Sequence, residues 1–214
     1  MRVPGDSATL AAGIAAQIAI RLASLAQPAL REALAQWPRA PRERTVAAAA
    51  DLAVLRWLPQ IAGDENAWGA EIVNALCRAA PGLAWRQTYA EPQVDRAFID
   101  NYGYSELMGS GGPLASERIA CGFLLLGPAT YYPPHRHEAE EFYVPLSGTA
   151  GWQQGDGAWR EHPPGTAIHH RSEEPHAMRT GAAPLLALYV WRSNRLAQRS
   201  RLDAAAMAPR QRHE

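Results

Sequence analysis

Six of the seven histidines in this 214-residue chain fall between residues 135 and 176. The first two lie in a segment reading Tyr131-Tyr132-Pro133-Pro134-His135-Arg136-His137-Glu138-Ala139-Glu140-Glu141-Phe142-Tyr143. In an extended strand alternate residues share a face. His135, His137, Ala139, Glu141 and Tyr143 are then expected on one side, with the small Ala139 leaving room among larger neighbours. Two imidazoles and a carboxylate converging from one face suit zinc, iron(II), manganese, cobalt or nickel. The other face, Arg136, Glu138, Glu140 and Phe142, is mostly at home in water. Downstream, His169, His170 and His176 are each placed to complete the set, and spacing alone leaves the choice among them open.

The elements that must carry these residues change character near residue 115. Before it the chain is rich in Ala and Leu at helical spacing. Ser7 is expected to cap a helix with Leu10, Ile14, Ile18, Leu22 and Leu25 on one face. Pro28 bends or restarts it, and Pro38 and Pro41 end the segment. Further helices are expected from Thr45 to about Leu58 and from Asn66 to Ala80, with Gly109–Pro113 as a loop. After residue 115 short strands take over: Ile119–Leu126, apolar throughout and therefore buried, then Phe142–Pro145, Ala150–Gln153, Ala158–Glu161 and Leu185–Trp191. Gly155-Asp156-Gly157 is expected to turn a hairpin. Regular short strands of this kind make an antiparallel sandwich or barrel.

Composition narrows the chemistry. The 21 basic and 21 acidic residues balance, which argues against a nucleic-acid surface built on bulk charge. All the basic residues are arginine, so no lysine Schiff base can form. Cys77 and Cys121 fall in a helix and a strand and are expected to be free, buried thiols. The apolar stretch from Ala8 to Ile20 is broken by Arg21, and Asp6 spoils a basic leader region. A cytoplasmic protein without membrane contact is expected. The Arg-rich stretch after Arg192 reads as a solvated, partly disordered tail.

Gly148 after Glu141, then Gly157 and Pro163-x-Gly165 followed by histidines, resembles the paired motifs of the cupin family. The second motif departs from the common pattern, because three residues separate Gly165 from His169. The resemblance implies a mainly β protein: a single jelly-roll β-barrel over 116–192, preceded by a helical region over 1–115 and followed by the tail at 193–214. A narrower resemblance is to the cupin-type dimethylsulfoniopropionate lyases. It is carried by Tyr132-Pro-Pro-His135-x-His137-x3-Glu141-x-Tyr143, by Pro175-His176-Ala177-Met178-Arg179-Thr180 and by Trp191.

That resemblance implies one divalent metal ion, such as zinc, iron(II) or manganese, on His135, His137, Glu141 and His176, with His135 either a ligand or a partner beside it. It favours His176 over His169 and His170. It implies elimination of dimethyl sulfide from a small zwitterion to leave acrylate, with Tyr143 or Tyr132 as base. An ordinary phenol has a pKa near 10, so such a base needs a cation beside it. Tyr132, Trp191 and Trp152 are expected to wall the sulfonium. Other metal-dependent cupin enzymes, an iron(II) dioxygenase or a sugar isomerase, share the ligand set. A transcriptional sensor lacks support, since no basic recognition helix precedes the strands. Cupins often pair, so a homodimer is compatible with the N-terminal helices.

Overall fold

The computed structural model describes residues 6–46, 51–61 and 68–203. Helix α1 (Asp6–Ala23) buries Ala11, Ile14, Ala15, Ile18 and Leu22, the stripe that three- and four-residue spacing creates. Leu10, expected on that stripe, is instead 50% exposed. Ser7, expected to cap the helix, falls inside it rather than before it. Pro28 opens a separate helix α2 (Pro28–Leu34), at a position where its missing N–H is harmless. Of the helix expected from Thr45 to about Leu58, residues 47–50 lie outside the described residues; beyond them a 3-10 turn (Ala53–Trp57) leads into the short α3 (Leu58–Ile61). Helix α4 (Ala70–Ala79) ends in a 3-10 turn holding Pro81 and Gly82, as the sequence predicts, while its expected start at Asn66 lies outside the described residues. Helix α5 (Arg96–Asp100) is capped by the Asp95 carboxylate, which accepts the Phe98 N–H at 2.7 Å. No helix among the described residues is long and apolar enough to cross a membrane.

The strands are β1 (Arg42–Glu43), β2 (Trp85–Arg86), β3 (Tyr102–Gly109), β4 (Leu114–Ala115), β5 (Ile119–Leu126), β6 (Tyr131–Arg136), β7 (Glu140–Ser147), β8 (Ala150–Gln154), β9 (Arg160–His162), β10 (Ile168–His170), β11 (His176–Thr180), β12 (Leu185–Arg192) and β13 (Arg201–Leu202). They form an eight-stranded sheet in the order β1-β4-β3-β5-β12-β7-β10, with β2 beside β3, and a five-stranded sheet in the order β13-β6-β11-β8-β9. The two sheets share no strand, so the expected barrel is a two-sheet jelly roll that hydrogen bonding does not close. Its first long strand, β3, lies well before the compositional break at residue 115 and pairs with β5 along most of its length.

Alternation explains why β5 and β12 read as continuous apolar runs. Cys121, Phe123, Leu125, Leu188 and Val190 join one core with Ile14, Ile18, Ile72 and Leu76 of the helices. Leu124, Leu126, Ala187 and Tyr189 join a second core with Tyr132, Trp152 and Met178 of the five-stranded sheet. The eight-stranded sheet is therefore covered on both faces, by helices on one and by the second sheet on the other. Cys77 and Cys121 are free thiols, as expected. Gly148 turns β7 into β8 at φ 81°, where a Cβ would stand 2.1 Å from the Pro184 carbonyl oxygen.

The described part of the C-terminal tail stays largely exposed, but it is docked along the molecule. Residues 193–203 run back over the molecule, Leu196 is buried, and β13 pairs with β6 so that Leu202 lies opposite His135. Arg195 pairs with Glu138, Arg201 with Glu173, and Arg136 with Asp203 at 3.0 Å.

Candidate metal centre

The site is made where the chain crosses between sheets. Residues 135–143 were expected on one extended strand; instead β6 ends at Arg136 and β7 starts at Glu140 in the other sheet. The break follows from pairing, because β6 bonds to β11 and β13 whereas β7 bonds to β12 and β10. His137 sits in the bend, and His135 and Glu141 approach from different sheets. Ala139 is not a gap on a strand face: its carbonyl receives the His137 Nδ1–H at 2.8 Å. Glu173, in the left-handed region at φ 63°, donates its N–H to the His137 carbonyl at 2.8 Å and fixes the bend from the other side.

Three histidines are oriented in one way. Nδ1 of His135 faces the Pro133 carbonyl at 3.0 Å, that of His137 the Ala139 carbonyl, and that of His176 the Glu174 carbonyl at 2.9 Å. A carbonyl only accepts, so each Nδ1 carries a proton, and Nε2 is the nitrogen that each ring turns toward the site. His137 Nε2 lies 2.9 Å and His176 Nε2 3.2 Å from the same oxygen, Glu141 Oε2. The His176 nitrogen is buried, and the approach to Glu141 is too oblique to give it a hydrogen bond. A proton on His137 Nε2 or a metal ion between the groups satisfies this contact. Ligands roughly 3.0–3.4 Å apart are what a metal with bonds of about 2.1 Å gathers. The donor atoms of His137, Glu141 and His176 lie within 4.8 Å of one another, all buried, and this group fits a metal ion.

His135 stands beside that compact group. Its ring stacks on Tyr132 at 3.9 Å between centroids and meets His176 at 4.1 Å, across the β6–β11 pair. His170 lies opposite Glu141 on β10, stacks on His176 at 4.0 Å, and leaves its buried Nε2 without a hydrogen bond. His169 points away from the group: its Nε2 meets Glu140 at 2.8 Å and its ring stacks on Phe142. Phe142 is thus buried rather than solvent-facing.

Burial and charge set the protonation states. Burial works against the charge on Glu141, yet His137 and His176 hold its carboxyl well below the usual range. For His137 burial acts to lower the pKa, and the Glu141 carboxylate outweighs it and raises it. His135 and His170 are pushed well below the ordinary histidine value, first by burial and then by His176. Both candidate bases are held neutral: burial raises Tyr143 far above an ordinary phenol with Glu141 adding to it, and burial raises Tyr132 likewise with Tyr102 next.

A cavity of about 460 Å³ opens onto the centre and is bordered by Tyr132, His135, His137, Glu141, Tyr143 and Trp191. Trp191 touches the metal group directly, since its Nε1–H is donated to Glu141 Oε1 at 2.6 Å and its ring lies 4.2 Å from that of His137. Trp152, expected on the substrate wall, packs against Tyr143 at 5.0 Å inside the second core and does not border the cavity. The cavity also takes in residues that the motifs do not single out: Tyr102, Tyr104, Glu106, Tyr189 and the 196–200 segment. Tyr102, Tyr104 and Glu106 alternate along β3, a period-two signal that the sequence itself carries.

A two-sheet jelly roll enclosing a buried two-histidine, one-carboxylate group that could hold a metal ion is the architecture of a cupin. The chain matches the dimethylsulfoniopropionate lyase family over residues 15–187 and belongs to it. It is 36% identical over 125 residues to the dimethylsulfoniopropionate lyase DddQ of Ruegeria pomeroyi, covering 58% of this chain and 62% of that one. To the DddL protein of Cereibacter sphaeroides it is 38% identical over 120 residues, 55% of this chain and 49% of that one. The chain thus matches 62% and 49% of the length of these two curated relatives, less than two thirds of either. The crystal structure of DddQ from Ruegeria pomeroyi superposes with a TM-score of 0.82 at 27% identity, over 94% of this chain and 99% of that one. A crystal structure from the DMSP lyases RdDddP and RnDddQII superposes equally, at 0.82 and 28% identity, over 92% and 100%.

Proposed function

We infer that the protein cleaves dimethylsulfoniopropionate to dimethyl sulfide and acrylate, using one divalent metal ion. The observation that carries this reading is the placement of two buried phenols, Tyr132 and Tyr143, on the cavity bordered by His137 and Glu141 of the group that could hold a metal ion. Family membership supplies the substrate class.

A bound divalent ion would be held by His137, Glu141 and His176, with His135 as a further ligand or a partner for substrate, and would supply Lewis-acid polarisation of the substrate carboxylate. The protein's own residues do the rest. A phenolate takes the proton from the carbon next to the carboxylate; that electron pair forms the carbon–carbon double bond, and the carbon–sulfur pair leaves on sulfur as neutral dimethyl sulfide. Tyr143 is the first assignment for the base, two residues along β7 from Glu141. Tyr132 enters from the opposite sheet, stacked on His135, and orients substrate or serves as base in its place. Neither phenol ionises in the buried site without a cation beside it. Trp191 and Tyr132 give the sulfonium an aromatic wall. Zinc, iron(II) and manganese all suit this ligand set.

The test is headspace dimethyl sulfide from purified protein and dimethylsulfoniopropionate, with and without chelator. Chelator-sensitive release supports the reading. No release after zinc, iron(II) or manganese is restored removes the substrate assignment.

A further inference from the structure

The cavity does not end at the histidines. It continues along the inner face of the eight-stranded sheet to Glu106 on β3. Strand partners lay out the route: Tyr143 pairs with Tyr189, Tyr189 with Gly122, and Gly122 with Glu106. Three strand spacings separate the ends, roughly 14 Å between backbones. Gly122 lets β3 and β5 approach closely: a Cβ there would stand 2.0 Å from the Ser105 carbonyl oxygen, and 2.9 Å from both Glu106 Cα and the Tyr189 hydroxyl, which brings that hydroxyl near Glu106. Tyr104, edge-on to Tyr189 at 6.5 Å, borders the same stretch.

Glu106 is gripped by one oxygen only. Its Oε1 accepts the N–H of Gly111 at 2.5 Å and that of Gly112 at 2.8 Å. Arg44 directs its guanidinium to the carbonyls of Gly109 and Gly112, and Arg86 to that of Gly111, so both cations are hydrogen-bonded to the loop that clamps the carboxylate. Among the described residues Oε2 makes no hydrogen bond. A carboxylate fixed on one side by main chain and facing an aromatic-walled cavity on the other is suited to an organic cation, which needs charge and polarisable surface but donates no hydrogen bond.

We propose that Glu106 is a specificity-determining residue that selects substrates with an onium group at the end remote from the metal-binding group. The proposal rests on the lyase reading for the identity of the natural substrate and deepens it. With the carboxylate end at His137, Glu141 and His176, the cationic end points along the cavity past Trp191 and Tyr132 toward Tyr189 and Glu106, whose charge acts on it through the cavity. If Glu106 served only to tie down the 109–112 loop, removing its charge would alter stability and leave selectivity alone.

The experiment uses two carboxylates of the same shape that differ in one atom and one charge: 3-(trimethylammonio)propionate and 4,4-dimethylpentanoate. Their dissociation constants are measured on metal-loaded wild type, Glu106→Gln and Arg86→Gln. Glutamine keeps an oxygen for the two N–H groups and removes only the charge. The cationic ligand is expected to weaken about tenfold in Glu106→Gln while the neutral one stays within about twofold. Arg86→Gln, which removes a flanking positive charge, is expected to raise the preference for the cation. An unchanged ratio in Glu106→Gln, or equal weakening of both ligands, overturns the proposal. Because the readout is binding, a wild type that prefers the cation yet releases no dimethyl sulfide would sink the lyase reading and leave Glu106 standing. An active lyase whose ratio ignores Glu106 would do the reverse.

Discussion

Trp191 and Glu141 are partners across β12 and β7, and the indole N–H takes Glu141 Oε1 at 2.6 Å while Oε2 alone faces His137 and His176. The tryptophan therefore decides which carboxylate oxygen is offered to a metal. Trp191→Phe keeps a ring over His137 and removes only the donor. Hydrogen-bond partners of ligands commonly hold a factor of about 10–100 in metal affinity, and a loss in that range is expected here. Zinc titration of the apo-protein measures it. Unchanged affinity with a raised KM would assign Trp191 to the substrate wall alone.

Removing a ligand should act on metal content itself. His137→Ala and Glu141→Ala are expected to purify with well under one equivalent of metal, read by elemental analysis. Because metal binds the folded state, chelation should lower the melting temperature of wild type and leave these two variants unmoved. A full equivalent in either variant would refute the ligand assignment.

The phenols separate by a different readout. Tyr143→Phe is expected to lower kcat by about 10²–10⁴-fold, the usual contribution of a positioned acid or base, with metal content intact. Tyr132→Phe should be the milder change if Tyr132 orients substrate. Full activity in Tyr143→Phe would reduce that residue to packing against Trp152.

How much of the fold and site is legible in the sequence depends on what each residue signals locally. The apolar run of β5, the Gly148 turn and the clustering of histidines are written in short-range pattern, and they point to the jelly roll and to His137 and Glu141; His176 is set apart from His169 and His170 only by the family resemblance. The bend at His137 is not legible in that way, because the crossing from one sheet to the other is set by the pairing partners of β6 and β7, which lie tens of residues away. Trp152 and Trp191 look alike in sequence, and only the register places one in the core and the other on Glu141. The 193–203 segment carries no periodic signal. Its order comes from ion pairs with Glu138 and Glu173 and from one buried leucine.

Glu106 predicts a pH dependence of selectivity. Burial raises its pKa above the usual carboxylate value, opposed by the Gly111 and Gly112 N–H groups and then by Arg86 and Arg44. A raised carboxyl pKa means the charge is lost at a higher pH than for an exposed glutamate. The other groups facing it are Arg86 on β2, Arg44, the phenols of Tyr104 and Tyr189, and the buried Cys121 thiol. Burial keeps Tyr189 and Cys121 protonated, and arginine stays charged throughout. The preference for 3-(trimethylammonio)propionate over 4,4-dimethylpentanoate should therefore decline on acidification, at a higher pH than an exposed glutamate would titrate, in wild type only. The ratio cancels any metal loss common to both ligands. A pH-independent ratio in wild type would disconnect Glu106 from the cation.

The C-terminal segment makes the last test, because it forms part of the cavity wall without contributing to the metal group. Leu196 is buried, Leu196 to Ser200 border the cavity, and the Tyr89 hydroxyl donates to Ser200 Oγ at 2.9 Å. Leu196→Asp places an unpaired charge where an apolar anchor sat, a change costing several kcal/mol locally (about 2–5) if the segment stays docked. Undocking is the cheaper response, since β13 contributes only two residues to its sheet. The variant is expected to be cleaved by trypsin within 193–203 under conditions where wild type resists, to keep its metal, and to show a raised KM with kcat changed less. Equal protease resistance would mean that the ion pairs to Glu138 and Glu173 hold the segment without Leu196. Loss of metal would mean that the pairing of Leu202 with His135 reaches the ligand group itself.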